Sequence, residues 1–196
     1  KQYLKLGPIL AAFSVVACVA LAFVYGATVD RIEAQAGIQL KASLASLFPE
    51  ADDFKDISSE LPALAGESKL LTAYAATQGG KILGVAVKAS GPSYGGPSVV
   101  LSGLGIDKVL KGVRILEIKD TPGLGLNATN PGYYVNKAKK LTFPGQFTAK
   151  ALTDGFVVKK DVDSITASTI TSKALTAIIK ASADSASAWL DSKGGM

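Results

Sequence analysis

A chain of 196 residues with a formal charge of +5 has room for one membrane anchor plus one domain with its own core. It contains no histidine and a single cysteine, which excludes zinc sites, Ser-His-Asp triads, Cys-His nucleophiles, axial-His haem, Cys-ligated iron–sulfur clusters and any disulfide within the chain. The basic residues are scattered lysines without interleaved aromatics, a pattern that argues against a nucleic-acid platform and fits a surface near anionic lipid or an acidic partner.

Leu6 to Val29 carries no charged residue and, at 24 residues, is long enough to cross a bilayer as a helix of about 1.5 Å rise per residue. Pro8 sits near its start, where a missing N–H costs little, and Tyr3 and Tyr25 lie near its ends as interfacial anchors do. Three other readings compete. A cleaved signal peptide has a shorter apolar core, about 7–15 residues. Val15-Val16-Ala17-Cys18 has the form of a lipoprotein cleavage box, but Val19 to Val24 stay apolar where a polar tether belongs. A buried core helix needs partner helices, and nothing later in the chain offers them. A membrane span over 6–29 is therefore expected, with Cys18 as a small apolar filler. Lys1 and Lys5 precede the span, and Arg31 follows it beside Asp30 and Glu33, which tilts the orientation towards a cytoplasmic N-terminus and an extracytoplasmic domain.

Arg31 to Leu47 reads as a second helix ended by Phe48-Pro49, and Ala51 to Ser68 as an acidic surface connection. The expected division is thus an anchor over 1–30, a helix and loop over 31–68, and a domain over 69–196. Lys69 to Lys119 holds four short aliphatic and β-branched runs punctuated by glycine, expected as an antiparallel sheet. Gly79-Gly80 marks a hairpin, and Gly91-Pro92-Ser93-Tyr94-Gly95-Gly96-Pro97 a longer turn. Asp120-Thr121-Pro122-Gly123-Leu124-Gly125 follows the last strand; it is either a plain type II turn or a ligand wall with uncovered backbone N–H groups. Tyr133 to Leu141 is expected as a short helix, Phe156 to Val158 as a strand, and Thr171 to Leu190 as a helix buried on its Leu175, Ile178, Ile179 and Trp189 side.

Ahead of that last helix, Asp163 to Lys173 crowds six hydroxyl residues together: Ser164, Thr166, Ser168, Thr169, Thr171 and Ser172. One reading is a helix cap. The other is a phosphate seat, where hydroxyls, N–H groups and the positive end of the helix dipole converge on an anion. Residue types alone leave both open.

Tyr94-Gly95-Gly96, Asp120 to Gly125 and Asp163-x-x-Thr166-x-x-Thr169-x-Thr171, in this order after one span, resemble the FMN-binding subunits of membrane redox pumps. The likeness covers nearly the whole chain. It is strongest to the G subunits of Rnf ferredoxin:NAD⁺ oxidoreductase complexes, with the C subunits of Na⁺-translocating NADH:quinone oxidoreductases as near neighbours. The resemblance implies an α+β FMN-binding domain and an electron carrier in an ion-translocating complex of the inner or plasma membrane, with the other Rnf subunits as partners. It implies FMN esterified through its phosphate to Thr169, with Thr166, Ser168, Ile170 and Thr171 completing the motif and Asp163 the acid ahead of it. Thr121, Pro122, Gly123, Leu124 and Gly125, with Tyr94 and Gly95, would line the flavin. No histidine is present to activate a threonine hydroxyl, so a separate flavin transferase is implied for maturation, and Lys173 would help meet the phosphate. The family's usual Gly-Ala is Ala167-Ser168 here; if the glycine position needs a positive φ, Ala167 is strained by about 1 kcal/mol. The alternative function is a membrane-anchored, non-redox binding module whose Ser/Thr run only caps a helix.

Overall fold

The computed structural model describes residues 3–193. Lys1, invoked above for orientation, lies outside them, and the side chains of Tyr3 and Lys5 are likewise not described. The elements in order are helix α1 (Tyr3–Leu47), strands β1 (Asp53–Asp56), β2 (Lys69–Gln78), β3 (Lys81–Ser93), β4 (Gly96–Gly105) and β5 (Leu110–Glu117), two single 3₁₀ turns (Gly125–Thr129 and Gly145–Phe147), and helix α2 (Thr169–Lys193). The fold is α+β, as expected. The chain divides into two compact units, Lys1–Ala42 and Ser43–Met196.

The first unit is helical throughout its described length, so the span and the helix expected after it form one element. Asp30 and Arg31 each cost an α-helix less than about 1 kcal/mol and do not end it; the helix stops before Phe48-Pro49. Among the described residues this is the one helix long and apolar enough to cross a membrane. Ile9, Phe13, Val16, Leu21 and Phe23 are all exposed along it, and a helix apolar on every side belongs in lipid.

The second unit is built on a five-stranded antiparallel sheet in simple meander order, β1 to β5. Gly79 and Gly80, both with positive φ, join Gln78 to its cross-strand partner Lys81, the two-residue hairpin their sequence signals. The expected long turn at 91–97 is instead mostly strand. Ser93 pairs with Gly96 across Tyr94-Gly95, and Pro92 faces Pro97 beyond the end of β2, where missing N–H groups break no ladder. β1 lies where a loop is expected, because Asp53-Phe54-Lys55-Asp56 lacks alternation; it is a charged edge strand on β2.

Two further expectations are corrected. Residues 133–141 form turns, not a helix: Asn136 bridges to Leu141 and its Oδ1 accepts the Lys139 N–H. Residues 156–158 join no sheet, because the Asp161 carboxylate takes the N–H groups of Phe156 and Val157 that a strand would have offered. Helix α2 starts two residues earlier than its apolar pattern indicates, at Thr169.

α2 packs on β3 and β4. Leu175, Ile178, Ile179 and Trp189 from the helix close over Val85, Val87, Val100, Leu104 and Val113 from the sheet, with Phe143, Phe147 and Phe156 extending the same core. The connection after β1 is tied to the far end of α2, where Ser185 Oγ donates to the Pro62 carbonyl (2.7 Å) and Glu60 meets Lys193 (3.1 Å) and the Trp189 indole N–H (3.3 Å). On the opposite face of the sheet, Leu47 and Phe48 fill a socket in which three strands carry glycine. A Cβ on Gly84 would lie 2.6 Å from the Phe48 ring, one on Gly103 3.1 Å from it, and one on Gly112 2.9 Å from Leu47.

Candidate functional site

The site forms where three chain segments distant in sequence meet: the β3–β4 turn, the loop after β5 and the N-terminus of α2. Asp120 joins them. It is 5% exposed, and its carboxyl oxygens accept from the Gly95 N–H (2.6 Å), from Ser93 Oγ (3.1 and 3.4 Å) and from Thr171 Oγ1. Close approach makes glycine necessary at two neighbouring positions. A Cβ on Gly95 would enter the backbone at Lys119–Asp120, and one on Gly125 would strike Asp120 and lie 2.6 Å from Thr171 Oγ1.

Beside this junction lies a cleft of about 390 Å³, within the size range of small-molecule and cofactor sites. Tyr94, Thr121, Leu124 and Gly125 form one side; Ala167, Ser168, Thr169, Ile170 and Thr171 form the other. Tyr94, Leu124 and Ile170 are 68%, 40% and 63% exposed, an apolar rim open to a planar ligand.

The six hydroxyls ahead of α2 now separate by role. Thr171 Oγ1 is committed to Asp120. Ser172 Oγ accepts the Ile165 N–H and donates to the Ser168 carbonyl. Ser164 and Thr166 do not line the cleft, and the Thr166 N–H is held by the Tyr133 hydroxyl (3.1 Å). That leaves Ser168, 7% exposed, and the half-buried Thr169 as hydroxyls that line the cleft and have no side-chain partner among the described residues.

The first turn of α2 is open in the same direction. Its first hydrogen bond runs from the Ser172 N–H to the Ser168 carbonyl (3.0 Å). The N–H groups of Thr169, Ile170 and Thr171 therefore have no acceptor within the helix, and none elsewhere among the described residues. Ser168 stands where an N-cap residue would, yet its hydroxyl makes no capping bond there. An anion at this position would satisfy three donors and the positive end of the helix dipole together. Ala167, just before, has φ +57°, the left-handed conformation that favours glycine and strains alanine.

Not every residue named from the sequence reaches the cleft. Pro122, Gly123 and Gly95 do not line it, and Lys173, one turn along α2, lines a neighbouring hollow. Asp163 does not line the cleft either. Its Oδ2 accepts from Asn136 Nδ2 (2.9 Å), while its backbone bonds both ends of the Gln146 amide. In the sequence Asp120 stands out only as the head of its motif; its buried position at the junction is a contact across 51 residues that no local pattern encodes.

An α+β domain whose cleft offers uncommitted hydroxyls and unbonded helix N–H groups is suited to a phosphate-bearing ligand, and comparison with known families narrows the class. Residues 93–184 match the model of the FMN-binding domain, and residues 1–47 match that of the RnfG N-terminal region. The cleft fits FMN on the structure's own terms, with free helix N–H groups for a phosphate and an apolar rim for a ring. Relatives extend over both units. The G subunit of the Na⁺-translocating ferredoxin:NAD⁺ oxidoreductase complex of Acetobacterium woodii is 32% identical over 90% of this chain and 87% of its own length. The G subunit of the ion-translocating oxidoreductase complex of Cereibacter sphaeroides is 32% identical over 88% and 79%, and that of Methanosarcina acetivorans is 25% identical over 96% of both. The chain belongs to the family of G subunits of ion-translocating oxidoreductase complexes of the Rnf type.

Proposed function

We propose that the chain is the electron-carrier subunit of a membrane-bound, ion-translocating ferredoxin:NAD⁺ oxidoreductase, holding FMN through a phosphoester on Thr169. The observation that carries this is the coincidence, in one cleft, of the uncommitted Thr169 hydroxyl with three unbonded N–H groups at the start of α2. The flavin supplies the redox chemistry; the protein supplies attachment, orientation and electrostatics. Thr169 Oγ1 would lose its proton and bond to phosphorus in place of the phosphate's leaving group, so that the linked species is threonine plus FMN less one water. The N–H groups of Thr169, Ile170 and Thr171 would then hold the remaining phosphate oxygens. Asp120 holds Thr171 and the β3–β4 turn in place, and Tyr94, Leu124 and Ile170 would flank the ring.

Since the chain has no histidine to activate the hydroxyl, a dedicated flavin transferase performs the attachment. The domain lies on the extracytoplasmic side, where a covalent bond keeps a small cofactor that diffusion would remove. The partners are the other membrane subunits of the complex. Denatured protein from a host carrying the transferase should retain in-gel flavin fluorescence. Thr169→Ala should abolish it without altering thermal unfolding, while Thr169→Ser should retain part of it. Fluorescence persisting in Thr169→Ala would place the attachment elsewhere. Colourless wild-type protein would leave the non-redox anchored module as the better reading.

A further inference from the structure

α2 is buried along Thr171, Ser172, Leu175, Thr176 and Ile178, and bare along a second stripe. Ile170, Lys173 and Ala177 are exposed at spacings of three and four, so they share one face of the helix. Ile170 belongs to the rim of the cofactor cleft, whereas Lys173 and Ala177 line a separate hollow of about 570 Å³ whose opposite wall is Phe156, Val157 and Val158. The stripe therefore runs without a break from the cleft into the hollow.

That wall is held firmly. Phe156 adopts φ +50°, a conformation that costs a bulky residue energy and persists only when its surroundings impose it. Asp161 imposes it by accepting the N–H groups of Phe156 and Val157, and Lys150 anchors Asp161 at 3.0 Å. Val157, 47% exposed, is thereby presented outwards beside the hollow. Lys180, at the far side, is answered by Asp184. Lys173, and Lys159 and Lys160 that follow Val158 on the same loop, are exposed and have no acidic partner among the described residues. The result is a fixed apolar groove with uncompensated positive charge, opening next to the cofactor.

We infer that this groove is the docking face for an electron-exchanging subunit, one that presents an apolar ridge bordered by Asp or Glu side chains. The inference rests on the electron-carrier reading above. Charge complementarity selects an acidic partner and steers its approach, and continuity with the cleft brings that partner to the cofactor's edge. A second copy docked face to face would set these lysines against their equivalents. Anionic lipid would satisfy the charge, but a lipid surface makes no use of a concave apolar wall held in a strained conformation.

Ala177→Glu places a negative charge at the centre of the groove without touching the cofactor cleft. In the full chain assembled into its complex in native membranes, it should leave in-gel flavin fluorescence at the wild-type level while slowing electron transfer through the complex about tenfold. Lys160→Glu should act in the same direction, the wild-type rate should fall with added salt, and Lys81→Glu at the start of β3 should change nothing. Ala177→Cys in a Cys18→Ser background, carrying a thiol-linked photo-cross-linker, should join a second subunit of the complex at a peptide containing Asp or Glu. Wild-type rates in both Ala177→Glu and Lys160→Glu with normal flavin loading would overturn the inference. So would a cross-link only to lipid, only to a second copy, or to nothing. Absence of flavin from the wild type is a different result, and would count against the electron-carrier reading itself.

Discussion

Replacing Asp120 by Ala removes the acceptor on which three segments of the site depend. Thr171 Oγ1 suffers most: at 2% exposure water cannot replace its partner, and an orphaned buried hydroxyl costs about 2 kcal/mol. The Gly95 N–H lies in an exposed turn, so its loss is partly made good by water, at a cost of about 1 kcal/mol. Ser93, half-buried and more distant, adds little. Asp120→Ala should therefore destabilise the domain by about 3 kcal/mol and Asp120→Asn, which keeps one acceptor oxygen, by about half as much. The single tryptophan, Trp189, is 4% exposed in the core under α2, so its fluorescence during urea unfolding of the detergent-solubilised chain reports the change directly. Thr171→Val tested with Asp120→Ala in a double-mutant cycle should show a coupling of about 1–2 kcal/mol. Covalent flavin yield should fall in both Asp120 variants, because the first turn of α2 loses its support. An Asp120→Ala protein within about 0.5 kcal/mol of wild type, with additive effects in the cycle, would refute Asp120 as the organiser of the site.

Ala167→Gly should relieve the strain at φ +57° and stabilise the domain by about 0.5 kcal/mol, the relief of about 1 kcal/mol being partly offset by the greater freedom of glycine in the unfolded chain; a lower urea midpoint would contradict this. Phe48→Ala empties the glycine socket under Gly84 and Gly103 and should cost about 3–5 kcal/mol in the same unfolding assay. Burial alone would raise the pKa of Asp161, but hydrogen bonds from the Val157 N–H, Lys150 and the Phe156 N–H outweigh it and hold the carboxyl below the usual range. A carboxyl lowered on folding binds protons more readily when unfolded. Its stabilisation is thus complete above the ordinary Asp value, about 3.9, and is lost as pH falls from there through the folded value. Asp161→Asn should flatten stability against pH in that acid window, and an unchanged slope would show that Asp161 does not carry it.

What is legible in the sequence follows the reach of each interaction. The apolar N-terminal helix, the Gly79-Gly80 hairpin and the buried side of α2 are written in local sequence pattern, and the structure forms each of them. β1 escapes because an edge strand of charged residues needs only backbone pairing with β2. Residues 133–141 and 156–158 mislead because Asn136 and Asp161 divert backbone groups that a helix or strand would use. The span and the helix read after it run together because charged residues such as Asp30 and Arg31 need not end a helix. At the site, the motifs identify the segments but not the division of labour among the hydroxyls. Asp120 claims Thr171 from 51 residues away, and Thr169 is left free by contacts that spacing alone does not reveal.

Peptide mass mapping reads the bond on Thr169 without intermediaries. Tryptic cleavage after Lys160 and Lys173 isolates residues 161–173, with all six hydroxyls in one fragment. From a host carrying a flavin transferase, that fragment should gain the mass of FMN less one water, and backbone fragmentation should place the addition on Thr169. An unmodified fragment from such a host, or an addition localised to Thr166, Ser168 or Thr171, would contradict the account.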